Sequence, residues 1–216
     1  MPFQNRDEAA RRLAQSLAQY HGKNPLILAI PRGAVPMAKV IADTLGGELD
    51  MVLVRKLGAP FNAEFAVGSV DESGWTYVAD YAAQAGASAE YIEAEKQRQM
   101  ETMRRRRAQY TPLRPPIDPA GRIVIVVDDG LATGSTMIAA LHALRAKNTA
   151  RLICAVPVAP PDTLEKVQGY ADEVVCLEAP VDFRAVGQFY ADFPQVEDDA
   201  VIEILRESSG RVGVGN

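Results

Sequence analysis

Five β-branched residues in a row, Ile123 to Val127, run without polar alternation, the pattern of a strand covered by helices on both faces. Similar short apolar runs predict strands at Pro25 to Ile30, Leu49 to Val54, Arg151 to Val158 and Glu173 to Leu177. Between them, apolar positions recur with the period of a helix at about Met37 to Leu45, Met137 to Leu144 and Pro161 to Gln168. Five strands alternating with helices predict an α/β fold: a doubly wound, mostly parallel five-stranded sheet flanked by helices, in one domain over 1–216.

Other stretches depart from this alternation. Residues 6–20 carry Leu13, Leu17 and Tyr20 at helical spacing and stop at Gly22, an amphipathic helix that belongs to the scaffold. After the second strand, Phe65 to Val70, the turn Asp71-Glu72-Ser73-Gly74 and Trp75 to Val78 read as a hairpin leaving the main sheet. Ser88 to Tyr110 reads as a long charged helix with Tyr91, Ile92, Met100 and Met103 as its few apolar anchors. Together these form an insertion over about 58–110. Arg104 to Arg107 spread around the helix and cannot form one binding face, so they read as a solvated helix end, with a subunit or phosphate contact as the second reading. Proline-rich Thr111 to Gly121 is a stiff connection back to the core. Beyond about 178 the chain forms a closing segment, with a final amphipathic helix over Val196 to Glu207 and a loose end from Ser208 to Asn216.

The chemistry concentrates where the strand Ile123 to Val127 stops, on Asp128 and Asp129. Gly130, Leu131, Ala132, Thr133, Gly134, Ser135 and Thr136 follow, small or hydroxylic at nearly every place, and then a helix begins. Glycines let successive N–H groups converge just where the helix presents its own unpaired N–H groups, which makes an anion site suited to a phosphate. The hydroxyls of Thr133, Ser135 and Thr136 add donors. The two acids repel a phosphate but accept hydrogen bonds from neighbouring sugar hydroxyls. A phosphate beside a vicinal diol describes a ribose 5-phosphate. No Lys follows the final glycine, so this is not a Walker loop. A second strand, tight turn and helix places Arg32 and Gly33 at the same sheet edge, where the arginine can clamp another anion and Gly33 admits close backbone approach.

Strand, acid, acid, two variable residues, a small residue and Thr-Gly-x-Thr resemble the thirteen-residue motif of the type I phosphoribosyltransferase family. The resemblance implies binding of 5-phosphoribosyl 1-diphosphate with Mg2+, and transfer of phosphoribose to a nitrogenous base or related acceptor with release of pyrophosphate. It implies that Asp128 and Asp129 hold the ribose and, through it or through water, the metal, while Gly130 and Ala132 to Thr136 hold the 5-phosphate. Arg32-Gly33 resembles the family's pyrophosphate turn, which often carries a strained peptide bond. Arg55-Lys56 resembles the pair that opens the mobile loop of orotate enzymes, which implies a pyrophosphate contact for Arg55 and a catalytic one for Lys56; a plain basic strand end is the other reading. Asp182-x4-Gly187 and Asp192-Phe193 resemble the closing segment of purine-salvage enzymes, making Asp182 a candidate metal-side acid and Phe183 a candidate stacking surface; a capped turn with core aromatics is the other reading. Where 6-oxopurine enzymes carry an Asp that handles the base proton, this chain has Ala132, which argues against hypoxanthine or guanine and leaves the acceptor open. Two further readings share the fold: a regulator that senses 5-phosphoribosyl 1-diphosphate or a nucleotide, and a catalytically inert partner subunit.

Composition narrows the setting. With 216 residues and a formal charge of -5, a general nucleic-acid binder is disfavoured, and no DNA contact is expected. Apolar runs fall far short of a membrane span, and the first twenty residues are too charged for a secretory signal, so a cytoplasmic protein is expected. Cys154 and Cys176 lie in apolar runs and read as buried reduced thiols. Family lids often border a neighbouring subunit, which implies a homodimer.

Overall fold

The structure, a computed structural model, describes residues 2–113 and 115–209 of the chain. In chain order the elements are α1 (Arg6–Ser16), β1 (Leu26–Ala29), α2 (Ala34–Leu45), β2 (Glu48–Met51), β3 (Val54–Ala59), β4 (Asn62–Asp71), β5 (Thr76–Val78), α3 (Ala89–Tyr110), β6 (Ile123–Val127), α4 (Ser135–Arg145), β7 (Arg151–Val158), α5 (Pro161–Gln168), β8 (Glu173–Glu178) and α6 (Asp198–Ser209). Five of the strands form a sheet in the order β2-β1-β6-β7-β8, and every neighbouring pair is parallel.

Alternation along each strand divides the core. Ile27, Ala29, Ile125, Val127, Ile153 and Ala155 pack on one face with Leu13 and Leu17 from the N-terminal segment and Val35, Met37 and Ile41 of α2. Leu26, Leu28, Val124, Val126, Leu152 and Cys154 pack on the other with Ile138, Leu141 and Leu144 of α4 and Val167 of α5. Both faces are therefore dry, which is why the strands read as unbroken apolar runs. Numbered among themselves, the core strands lie in the order 2-1-3-4-5. This order reverses between β1 and β6, and ligands of doubly wound sheets bind at the carboxyl ends of strands at such a point.

The second sheet, β3-β4-β5, is antiparallel and separate from the first, as a hairpin leaving the main sheet requires. It differs from expectation in two ways. The run Leu49 to Val54 is not one strand: β2 ends at Met51, and Val54 already opens β3 of the other sheet. Val52 and Leu53 stay buried through the corner, so hydrophobicity carries no mark of the exchange. Arg55 and Lys56 consequently lie inside β3 rather than beyond a strand end. In addition, β4 begins at Asn62 and pairs with β3 as well as β5, making three strands where the apolar pattern marked two. The turn after β4 is as read, with Asp71 Oδ1 accepting the N–H groups of Ser73 and Trp75 at 2.8 and 3.1 Å.

Two contacts seat this sheet on α4. The Trp75 ring stacks on His142, with centroids 3.6 Å apart, and the buried Ser69 hydroxyl donates to the Ser135 carbonyl at 2.7 Å. That carbonyl also stands within the first turn of α4, so Ser69→Ala removes the donor without stranding the acceptor. A loss of about 1 kcal/mol is expected in denaturant titration, and an unchanged midpoint would refute the link. On the other side α3 packs along β3, where the Tyr91 hydroxyl donates to the Gly58 carbonyl at 2.8 Å.

The four arginines near the end of α3 do point apart. Arg104 and Arg105 are exposed, Arg107 pairs with Glu72 at 2.5 Å, and Arg106 is half-buried. The first helix is shorter than predicted and passes into a 3-10 turn at Ala18–Tyr20 that still buries Leu17 and Tyr20. At the other end α6 reaches Ser209, with the Ser208 hydroxyl donating to the Ile204 carbonyl at 2.8 Å, so Ser208 and Ser209 are helical rather than part of a loose end. Arg114 of the proline-rich connection and the remaining tail, 210–216, lie outside the described residues. Cys154 and Cys176 are free thiols, the first buried and the second half-buried. No helix among the described residues is long and apolar enough to cross a membrane.

Candidate active site

Adjacent pairing of β1 with β6, with Ala29 opposite Val127, brings the two βα turns out side by side. Ile30 continues the pairing by donating to the Val127 carbonyl at 3.0 Å, and the peptide between Pro31 and Arg32 is cis. Gly33 then caps α2 directly against the acids. A Cβ there would stand 2.1 Å from Asp129 Oδ2, so only glycine admits the carboxylate.

Asp129 is held from three directions. Arg6, the first residue of α1, donates from Nε and Nη2 to the same carboxylate oxygen at 3.0 and 2.8 Å. The Arg6 guanidinium also donates to the Pro194 carbonyl at 2.6 Å and lies over the Phe193 ring, 3.8 Å from its centroid. The Tyr190 hydroxyl donates to the Asp129 carbonyl at 2.7 Å. Asp128 lies behind, its Oδ1 accepting the Asp129 N–H at 2.9 Å. Burial, and after it the negative charge of Asp129, push the Asp128 carboxyl well above the usual carboxylate range. Burial also raises Asp129, and the Arg6 guanidinium opposes that shift.

A folded state that keeps a proton released by the unfolded chain gains stability that is fully present below the ordinary 3.8 and is lost as pH rises through the raised value. In the ligand-free protein, a carboxyl-carbon NMR titration is expected to find Asp128 changing charge above 3.8. A midpoint at or below that value would exclude the burial described.

Downstream of the acids the loop leads into α4 with its start left open. Gly134 occupies the cap position with φ 76° and supplies no side-chain cap; the Ser135 N–H reaches Thr133 Oγ1 at 3.4 Å, which leaves the N–H groups of Thr136 and Met137 uncapped by any side chain among the described residues. A Cβ at Gly134 would meet Thr163 Cγ2 at 2.9 Å, so the position requires glycine on both counts. Buried Thr163 of α5 donates to the Ala132 carbonyl at 2.7 Å and anchors the loop. The Thr133 and Ser135 hydroxyls are 3.0 Å apart.

Two clefts open here and share Asp129. One, of about 670 Å3, is lined by the loop from Asp129 to Thr136, by Lys56, Phe65 and Ala66 of the second sheet, and by Arg184 and Val186. The other, of about 400 Å3, is lined by Arg6, Arg32, Gly33, Asp129 and residues Phe193 to Val196. The structure thus gathers Asp129, Gly130, Ala132, Thr133, Gly134, Ser135, Thr136 and Lys56 around one cleft, and Arg32 and Gly33 around its neighbour.

Three candidates stand elsewhere. Arg55 donates to Gln99 of α3 at 2.9 Å instead of lining either cleft. Asp182 is 91% exposed, with Arg184 at 3.9 Å, and Phe183 packs on Phe189 with ring centroids 5.3 Å apart. From the same closing segment it is Arg184 and Val186 that reach the larger cleft. The side-chain partners Arg6 and Tyr190 carried no sequence signal of their own. Phe193 fell within the quoted Asp192-Phe193 pair, but its place beneath Arg6 did not follow from it.

Among the described residues no group of three or more His, Cys, Asp or Glu side chains is disposed to hold a metal ion. Two carboxylates, one of them bound to an arginine, suit an ion that arrives with ligand oxygens of its own.

Residues 3–194 match the family model described as the phosphoribosyl transferase domain. A provisionally named phosphoribosyl transferase of Mycobacterium tuberculosis strain H37Rv is 42% identical over 204 residues, 94% of this chain and 46% of its own length. The chain therefore spans about half the length of the curated relatives it matches. A uracil phosphoribosyltransferase of Acinetobacter baylyi is 40% identical over 65 residues, 30% of this chain and 31% of its own. Among solved structures, that of TT1426 from Thermus thermophilus is 45% identical with a TM-score of 0.80, covering 96% of this chain and 99% of that one.

Proposed function

This chain belongs to the phosphoribosyl transferase domain family, and on that premise we propose that it binds 5-phosphoribosyl 1-diphosphate with Mg2+ and transfers the phosphoribosyl group to a nitrogenous acceptor. The bond from C1 of the ribose to a diphosphate oxygen breaks, a bond from C1 to the acceptor nitrogen forms, and pyrophosphate leaves with the electron pair of the broken bond. The observation that carries this reading is the open start of α4 beside Asp129, at the place where the strand order reverses.

Each part of the site has a share in that reaction. The N–H groups at the start of α4, with the hydroxyls of Thr133, Ser135 and Thr136, hold the 5-phosphate. Asp129 accepts hydrogen bonds from the ribose hydroxyls, and Asp128 behind it supports Asp129 through its backbone N–H. Arg32 and Lys56 face the leaving group from opposite sides of Asp129. As positive charge develops on the ribose in a transition state with ribosyl cation character, these preorganised groups compensate charge on both sides of the breaking bond. Asp128 and Asp129 would hold Mg2+ through ribose hydroxyls or water, and the ion would supply charge compensation for the leaving group. Phe65 and Ala66 bring the second sheet over the larger cleft, where it acts as a lid that excludes water.

No carboxylate stands at Ala132 to take an acceptor's proton, which argues against hypoxanthine or guanine as the acceptor. Mass-spectrometric screening of a metabolite extract for phosphoribosylated products, with pyrophosphate release as the second readout, tests the reading. Ribosylated product that appears only with 5-phosphoribosyl 1-diphosphate is expected. Absence of both product and release across the extract would overturn it.

A further inference from the structure

The start of α1 is built to aim one side chain away from its own helix. Asn5 caps that start, its Oδ1 accepting the Glu8 N–H at 3.0 Å, and buried Leu13 and Leu17 seat the N-terminal segment on the core. Arg6, at the first helical position, therefore stands on a fixed base. A guanidinium can fork across both oxygens of a carboxylate, but here Nε and Nη2 converge on Asp129 Oδ2 alone. Among the described residues Asp129 Oδ1 accepts no hydrogen bond. Since Asp129 lines the larger cleft as well as the smaller, this second oxygen is the one left for a ligand.

The remaining nitrogen of Arg6 ties the same carboxylate to the closing segment. Nη1 donates to the Pro194 carbonyl at 2.6 Å, and the guanidinium lies over the Phe193 ring. Just before Asn5 the chain joins that segment directly: the Phe3 N–H donates to the Phe189 carbonyl at 2.7 Å, and the Phe3 carbonyl accepts the Ala191 N–H at 2.7 Å. Phe3 is buried against Tyr190, with ring centroids 5.4 Å apart, and the Tyr190 hydroxyl holds the Asp129 carbonyl. Side chain and main chain of Asp129 are thus gripped by one body, made of residues 3–6 and 189–194. With side-chain exposures of 12% and 17%, the pair Arg6 and Asp129 is shielded from the solvent that weakens open ion pairs.

We propose that Arg6 is a positioning residue for the sugar: by holding Oδ2 it presents Asp129 Oδ1 to the ribose hydroxyls, and through Pro194 and Phe193 it makes the closing segment part of the sugar site. The proposal rests on the transfer reaction above, in which Asp129 accepts hydrogen bonds from the ribose. Arg6 itself touches neither sugar nor phosphate. Its effect passes through Asp129 and depends on donors spread over a rigid plane, an arrangement that a lysine ammonium meets only in part.

Isothermal titration of the whole chain with ribose 5-phosphate and, separately, with inorganic phosphate, both with magnesium, tests this role. Arg6→Met is expected to weaken ribose 5-phosphate about tenfold while inorganic phosphate stays within about twofold of wild type. Added to Asp129→Ala, the same change should cost less than about twofold more, because the group that Arg6 orients is already gone. Arg11→Met, on the exposed side of α1 where Arg11 pairs only with Asp7, should change neither ligand. Should Arg6→Met fail to fold, Arg6→Lys carries the test, with a selective loss of about threefold expected for ribose 5-phosphate. Wild-type or tighter ribose 5-phosphate binding in the Arg6 variant, equal loss of both ligands, an equal loss in Arg11→Met, or additive losses in the double variant would overturn the proposal and leave the transferase reading standing. A wild-type protein that binds neither ligand would overturn both.

Discussion

Asp129→Asn is expected to lower the transfer rate by about 10²–10³, the usual effect of removing one preorganised polar group from a reacting centre. The change keeps the size of the side chain but removes the charge that Arg6 binds at 2.8 Å and that ribose hydroxyls would use. Binding of inorganic phosphate at the start of α4 should survive, because its donors are backbone N–H groups and hydroxyls rather than the carboxylate. Loss of ribose 5-phosphate affinity with retained phosphate affinity, measured side by side on a protein whose circular dichroism is unchanged, is the outcome that assigns Asp129 to the sugar. Equal loss of both would mean that the variant has disturbed the whole loop. A rate within twofold of wild type would remove Asp129 from the reaction.

The second large effect is expected from a single methyl group. Gly33 has φ -56° and ψ -33°, an ordinary helical conformation, so Gly33→Ala carries no backbone strain and even favours the start of α2. Its cost arises elsewhere, because the new Cβ would lie 2.1 Å from Asp129 Oδ2. Backbone cannot give way easily on either side, so the carboxylate must swing off Arg6, with an expected loss of about 1.5–3 kcal/mol in denaturant titration. A fall in rate of about 10² should accompany it. Gly169→Ala is the control: it also has helical angles, its nearest contact would be at 3.8 Å, and a neutral or slightly stabilising result is expected. If Gly33→Ala matched that control in both stability and rate, the packing of the turn against Asp129 would not matter to the site.

These two residues also show what the chain discloses before it folds. The parallel sheet was legible because its central strands are covered on both faces, and the strand from Ile123 to Val127 therefore contains no polar residue to confuse the period. Asp128, Asp129 and the loop to Thr136 were legible because they are contiguous, so strand end, acids and helix start can be read in a single pass. Arg6 was not, since its partner lies 123 residues away and at its own position it looks like any charged residue near the start of a helix. The corner at Val52 and Leu53 was hidden for the opposite reason: burial continues unchanged while the chain passes from one sheet to another. Spacing drew attention to Asp182 and Phe183, yet spacing does not say which way a closing segment turns, and Arg184 and Val186 are the ones that reach the cleft.

The stacked pair Trp75 and His142 gives this molecule a native optical sensor. The sequence holds one tryptophan, and it sits on the joint between the β3-β4-β5 layer and α4. Tryptophan emission therefore comes from that joint alone, so any separation of the two layers on ligand binding can be followed in real time without attaching a dye.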